Sequence, residues 1–464
     1  MIRRLLAAAA VVALAGCAST RIEQTTTAAL ADGAARVGVE GRLNVDDAQR
    51  AEARARVDQL LAAPLAADDA VRVALVHSPA VQALLADNQA AMAAAIQSGR
   101  IGNPIFVFEH LVRGDTKEIE RLLAFSLFDL LSWPSRINVA EARTEEARLA
   151  MVATVVASAT QARQAWVEAV AAEQVFAYAG DVRIAAEAAA ELARRMQEAG
   201  NFSPLQRARE QAFYADAVTQ QARAQHARVA ARERLVRVLG LDAAQAARLQ
   251  LPPRLPDLPE QPRSAQEVAR VAFDTRLDVQ AARAIVETAS RQQGFTDAAS
   301  WLDGWHIGGR YNSEPGESPK RGYELEFPIP IFDPGDAKRA GAGAALLAAL
   351  NRSQQVLTDA GSQLRETYHG YRTSLDVARH YRSEIVPLRS RIAEENVLRY
   401  NGMLIGVFEL LADARMQIGA VIGAIEAQRD FWLADAGLHA ALIGRPVAIS
   451  LTANTAAVAD AGGH

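Results

Sequence analysis

The chain has 464 residues, enough for two or three ordinary domains, and a formal net charge of −4 with 22% charged residues. That balance supplies no basic surface of the kind nucleic acid requires, so no nucleic-acid partner is expected. Half of the residues are hydrophobic but only 6% are aromatic, and alanine is abundant, a mixture that suits long helices packed closely through small side chains.

The N-terminus carries Arg3 and Arg4, then the apolar run "LLAAAAVVALA" ending in Ala15, then Gly16 and the single cysteine, Cys17. This is the pattern of a secretory signal, too short for a spanning helix. A lone thiol closes no intrachain disulfide and makes no cysteine-based zinc site. Leu14-Ala15-Gly16-Cys17 resembles the bacterial lipobox, in which the cysteine becomes the acylated first residue of the mature chain. Residues 1–16 are therefore expected to be a signal peptide, with Cys17 the lipidation site, carrying diacylglycerol and palmitate-type acyl groups. Ala18 after it, in place of Asp, favours sorting to the outer membrane. Removal of the signal leaves a net charge of −6, from 48 basic and 54 acidic residues. Beyond residue 17 no apolar run reaches the ~18 residues of a spanning helix, so any membrane crossing must use β-strands.

A lipidated extension is expected over 17–67, followed by a repeat. "RVALVHSPAVQA" from Arg72 and "RVAFDTRLDVQA" from Arg270 share both ends at an offset of 198 residues. The first copy continues as a helix to about Gln97, a break at "SGRIGNP", and strand-like runs "IFVFEHLV" and "RLLAFSLFDL". A 64-residue helical stretch follows from Arg136 to Ala199, then an interruption at Gly200-Asn201 and a return helix over Leu205–Leu239. The proline-rich "LPPRLPDLPEQP" reads as an extended linker within 241–264. The second copy repeats the plan: a helix from about Ala265 to Gln293, strands "WLDGWHIGGRYN" and "GYELEFPIPIF", 64 helical residues from Ala337 to Tyr400, a break at Asn401-Gly402 and a helix from Val407 to Ile443. The repeats thus occupy 68–240 and 265–443, and 444–464 reads as a flexible tail. A 64-residue helix would extend about 96 Å at ~1.5 Å per residue, a length suited to bridging a gap as wide as a periplasm.

The strands alternate. Trp305, Ile307 and Tyr311 alternate with His306, Arg310 and Asn312, and Tyr323, Leu325 and Phe327 alternate with Glu324, Glu326 and Pro328. A half-buried soluble sheet and a lipid-facing barrel both show this pattern. In lipid, four strands cannot close alone, because open edges would leave backbone groups unpaired, and three copies would supply twelve strands. Trp301, Trp305, Tyr311 and Tyr323 are candidates for an interfacial rim.

These residues together resemble the TolC-like outer-membrane efflux protein family over about 60–445. The carriers are the twofold repeat, "APLAADDAVRVALVHSPAVQA", "RLDVQAARA", "FPIPIFDPGDAKRA", "AGNFSPLQRAREQ" and "RYNGMLIGVFELLADAR". The resemblance implies a mainly α fold with a small β part. Long antiparallel helical hairpins would form an α-barrel in a homotrimer, and four strands per chain would enter a shared twelve-stranded transmembrane β-barrel. It implies a passive exit duct, working with a periplasmic adaptor (membrane fusion) protein and an inner-membrane transporter of the RND type. Lipid anchoring through Cys17 places such a chain in contact with outer-membrane lipid. A structural coiled-coil lipoprotein without a pore, or the exit of a type I protein secretion system, are the alternatives.

By the resemblance, the periplasmic gate lies after the second turn, at Glu409 with Asp413 nearby; Ala412 stands where a second acid often follows. The alternative for Glu409 is a solvated helix residue paired to Arg415 or Arg399. The turn residues Gly200, Asn201, Phe202, Ser203, Asn401, Gly402, Met403 and Leu404 are the expected adaptor-docking tips. Arg207 and Arg209 are candidate partners for acids of the second hairpin. His306, Arg310, Glu324 and Glu326 are expected in the barrel lumen. Pro387 should kink or break the last long helix. Strand loops of about eight and ten residues leave little external decoration. The sequence carries no catalytic, cofactor-binding or metal-binding motif, so neither enzyme activity nor a cofactor is expected.

Overall fold

The computed structural model describes residues 21–114, 116–265, 268, 276–300, 304–329 and 331–445. Cys17, the signal segment, Trp301, the second repeat's Arg270 and nearly all of the 444–464 tail lie outside these residues. In chain order the elements are helix α1 (residues 21–37), α2 (Asp47–Leu60), α3 (Ala67–His77), α4 (Pro79–Ser98), strands β1 (Ile105–Arg113) and β2 (Thr116–Ser126), α5 (Leu127–Glu198), α6 (Pro204–Leu239), α7 (Ala243–Arg248), α8 (Leu277–Ala299), β3 (His306–Ser313), β4 (Lys320–Glu326), α9 (Asp336–His380), a π-helical turn (Tyr381–Ile385), α10 (Val386–Asn401) and α11 (Val407–Ile443). Long helices with a small antiparallel sheet are the fold class read from the sequence.

The chain divides into two compact units. One takes Met1–Gly33, Leu84–Ala153 and Phe273–Ala360, and contains the sheet. Its four strands are all antiparallel in the order β1-β2-β3-β4. The helical part packs Met92, Met151, Val152 and Leu277 with small alanines such as Ala140. Arg136 ties the end of α4 to the start of α5: its guanidinium donates to the Asp129 carboxylate at 2.6 Å and to the carbonyls of Ser98 and Arg100 at 3.2 and 2.9 Å.

The other unit takes Ala34–Ala83, Thr154–Ala272 and Gly361–His464. Along α5 the buried positions include Ala159, Ala162, Ala165, Ala169 and Ala171, the close lateral packing that an alanine seam permits. Trp166 donates its indole N–H to the Leu65 carbonyl at 2.7 Å. A second cluster joins Tyr371, Leu375 and Phe431, with Tyr371 and Phe431 ring centroids 5.6 Å apart. Gly240 ends α6 at φ 71°, and a Cβ there would sit 2.4 Å from Pro79 Cδ, so only glycine fits.

Three expectations are adjusted. The segment Leu127–Leu131 opens α5 and does not continue β2, which instead starts at Thr116. Ser126 accepts from the Asp129 N–H at 3.0 Å, the bond of an N-cap, and Asp129 suits the positive end of the helix. The strand connections are accordingly short, residues 114–115 and 314–319. Pro387 does not break its helix: the π turn before it lets the Val386 N–H reach the Tyr381 carbonyl five residues back, absorbing the donor that proline lacks. The linker region 241–264 includes helix α7, with a capping box between Asp242 and Gln245. The extended remainder is strapped down, with the Pro256 carbonyl accepting from Gln428 at 2.6 Å and Trp432 at 3.0 Å, and the Pro259 and Glu260 carbonyls from Arg379 at 2.7 and 2.8 Å.

Candidate functional site

The register sorts the strand residues onto two faces. Pairings His306↔Glu326, Gly308↔Glu324, Arg310↔Leu122 and Asn312↔Glu120 put His306, Arg310, Glu324 and Glu326 together on one face. Arg310 forms an ion pair with Glu324 at 2.7 Å and lies 3.7 Å from Glu120, which also accepts from Asn312 at 2.9 Å. His306 contacts the Gly304 carbonyl through Nδ1 at 2.8 Å. Glu120 belongs to this charged network and was missed because the sequence reading began β2 too late. The other face carries Phe106, Phe108, Leu123, Phe125, Ile307, Tyr323 and Leu325, all exposed. β4 stops before Pro328, which packs on Gly304, while Trp305 and Phe327 stack with centroids 5.5 Å apart. Within the chain, β1 and β4 are edge strands.

At the first hairpin turn the α5 end is closed by Gly200 at φ 79°, with Asn201 N–H donating to the Met196 carbonyl at 2.8 Å. Phe202 is buried against the turn, and Ser203 caps α6 in a reciprocal capping box with Gln206. Upstream, Glu191 accepts from Arg194 and Arg195, whose hydrogen bonds hold its carboxyl down to about 2.

The second turn is built differently. Asn401 ends α10, Gly402 keeps φ −80°, and Met403 takes the left-handed conformation at φ 59°. Met403 and Leu404 stand 93% and 73% exposed, far more than Phe202. Gly406 precedes α11 without a side-chain cap.

Glu409 lies exposed in the first turn of α11 and makes no ion pair among the described residues. Asp413, one turn on, accepts from the Asn396 amide of α10, so it is tied within its own hairpin. Arg415 does not turn to Glu409. It donates to both carboxylate oxygens of Glu210 on α6 at 3.1 Å and stacks 4.2 Å from the Phe213 ring centroid. Glu210 is 1% exposed. The charge pairing between the hairpins therefore has the opposite sense to the one expected: the acid sits on the first hairpin and the base on the second. Arg207 donates to Gln197 at 3.0 Å inside its own hairpin. A small apolar cluster of Val182, Ala186 and Ala217, with Tyr178, Phe213 and Ile418 against it, backs the Glu210–Arg415 pair.

Among the described residues no group of three or more acidic, histidine or cysteine side chains is placed to hold a metal ion, and no helix is long and apolar enough to cross a membrane.

Helical hairpins that twice flank a strand pair, meeting in one four-stranded sheet, define the TolC-like fold. The outer membrane protein VceC of Vibrio cholerae superposes with TM-score 0.65 over 84% of this chain and 96% of its own, at 15% identity. The CmeC outer membrane channel of Campylobacter jejuni does so with TM-score 0.63 over 85% and 86%, at 12% identity, and the open-state MtrE outer membrane channel of Neisseria gonorrhoeae with TM-score 0.62 over 81% and 89%, at 16% identity. No family model and no curated protein matches the sequence. At these identities the likeness is one of fold.

Proposed function

We propose that this chain is the outer-membrane channel of a tripartite efflux system, a passive exit duct fed by an inner-membrane pump through a periplasmic adaptor. The observation that carries the reading is the sheet: one face is mainly apolar and exposed, the other carries the Arg310–Glu324 network, and among the described residues β1 and β4 each leave one edge unpaired. In lipid each unpaired edge group would cost several kcal/mol. Sister subunits remove both edges at once, and three copies give a twelve-stranded barrel with Arg310, Glu324, Glu326 and His306 toward water. The repeats 68–240 and 265–443, joined by 241–264, then extend as helical hairpins into the periplasm. Residues 1–16 are removed and Cys17 is acylated to anchor the 17–67 extension.

In this reading the turns Gly200–Ser203 and Asn401–Leu404 meet the adaptor. Glu409, without an ion pair among the described residues, contributes one carboxylate of a threefold ring beside Asp413, attractive to cations. The pump is of the RND type and the cargo a drug or a metal ion.

The test is reconstitution. Full-length protein extracted in detergent should run as a trimer and conduct in planar bilayers, and Glu409→Ala should raise conductance and lower cation preference. A conducting channel with unchanged Glu409→Ala currents removes Glu409 from the gate. A protein that stays monomeric and never conducts refutes the duct. Labelling of Ser313–Arg321 on intact cells separates the duct from a spacer lipoprotein, which would leave that loop inaccessible.

A further inference from the structure

The apolar face of the sheet changes chemistry toward the hairpin connections. Successive rows run across the strands on that face. The row nearest the helices holds Phe125, Ile307 and Leu325, and the next holds Phe106, Leu123, Gly309 and Tyr323. The third is Phe108, Arg121, Tyr311 and Arg321, each directly opposite its neighbour. In that row cation and ring alternate. The Arg121 guanidinium lies 5.9 Å from the Phe108 centroid and 5.6 Å from that of Tyr311, and Arg321 lies 5.7 Å from the same Tyr311 ring. Lys117 follows on this face one row beyond Ile119.

Among the described strand residues no carboxylate shares their face. The strand carboxylates Glu109, Glu118, Glu120, Glu324 and Glu326 all fall on the opposite face by register. Among the described residues neither Arg121 nor Arg321 forms an ion pair, and Arg121 has only a long 3.4 Å hydrogen bond to Ser313 Oγ. Cations on a lipid-facing surface are costly unless something satisfies them. Here Arg121 and Arg321 stand at one level, above two rows of apolar side chains and beside aromatic rings that suit a membrane boundary, with Lys117 two rows farther out.

We propose that Arg121 and Arg321, with Lys117, bind a phosphate-bearing lipid headgroup at the membrane boundary on the side of the hairpin connections. The planar guanidinium forks match phosphate oxygens, the flanking rings hold the guanidinium groups in place, and the acyl chains lie against Phe106, Leu123 and Tyr323. Two guanidinium groups over one ring suit a headgroup with two phosphates. This site rests on the barrel reading above, since it needs this face to meet lipid.

The experiment titrates full-length, detergent-extracted protein with diphosphorylated lipid A and, separately, with inorganic phosphate, and reads bound mass per protomer by native mass spectrometry. Lipid A should bind, and the double variant Arg121→Gln/Arg321→Gln should weaken it by about tenfold or more. The single variant Arg321→Gln, at an exposed side chain, should weaken it in the same direction, and Lys320→Gln on the opposite face should leave it unchanged. Unchanged affinity in the arginine variants, or inorganic phosphate bound as tightly as lipid A, overturns the site. Bilayer conductance separates the two levels: wild-type channels that conduct but show no lipid A binding overturn the headgroup site alone, and wild-type protein that does not conduct overturns the channel reading and the site with it.

Discussion

The two hairpin turns occupy equivalent places in the repeat, yet they are built on different physics. The first uses residues that its geometry asks for: Gly200 in the left-handed region, Ser203 and Gln206 closing a capping box, and Pro204 at the first helical position. The second places glycine one residue early. Gly402 stays right-handed while Met403 takes φ 59°, and its helix starts from Gly406 with no side-chain cap. A left-handed non-glycine residue costs roughly 1–2 kcal/mol. The first turn is specified locally and buries its Phe202, whereas the second is strained and presents Met403 and Leu404 to the outside. The contrast sets a locally capped turn against a strained one with exposed apolar side chains.

The largest expected effect comes from the pair that links the two hairpins. Glu210→Ala leaves Arg415 partly buried without its anion and should destabilise the protein by about 3 kcal/mol, seen as a lower denaturant midpoint of the helical signal. If the loss were no more than that of an exposed pair such as Arg183–Glu187, the link between hairpins would be incidental. Next, Ser203→Ala should cost about 1 kcal/mol by removing the α6 cap, with faster amide exchange at Gln206. Met403→Gly should act in the opposite direction, stabilising by about 1 kcal/mol as the strain is relieved, and under the proposed docking role it should weaken adaptor capture in a pull-down. Equal and same-signed effects at both turns would erase the contrast.

The smallest effect is set by pH and lies outside both turns. Burial holds His439 below its ordinary value, with Arg263 and Arg163 adding to the shift and Asp435 opposing it. Burial likewise lowers His77, against the hydrogen bond its Nε2 donates to the Gln245 side-chain oxygen. A lowered folded-state pKa means that the stabilisation is complete above about 6.5 and is lost as pH falls through the lowered values. Asp435, raised by burial, works the other way, since the folded state takes up its proton more readily. Acidification from pH 7 toward 5 should therefore speed amide exchange around His77 and His439 and leave the exchange pattern of Gly200–Ser203 and Asn401–Leu404 unchanged; His439→Gln should flatten the response.

Much of this was legible in the chain itself. The doubled plan of helix, strand pair, long helix and return helix follows from periodicity and from breakers at Gly200 and Asn401, and the bounds of α6 and α11 fall within a residue of those read from pattern. Less was visible where local signals conflict. "LFDL" reads as strand by apolar content, but the Ser126 cap and Asp129 turn it into helix. Pro387 reads as a break, but register slip into a π turn spares it. Glu120 and Glu210 carry no motif: one joins the Arg310 network through strand register, the other meets Arg415 through helix packing at a sequence separation of 205 residues.

The sequence alone determined most of the helices, the presence of two strand pairs and which strand face is mainly apolar, because period, propensity and breakers act over a few residues. The tertiary structure decided which charges meet and which turn is strained, and it set the four strands side by side in one sheet with cations stranded on its apolar face. Those outcomes depend on register and packing between segments hundreds of residues apart, and no local pattern encodes them.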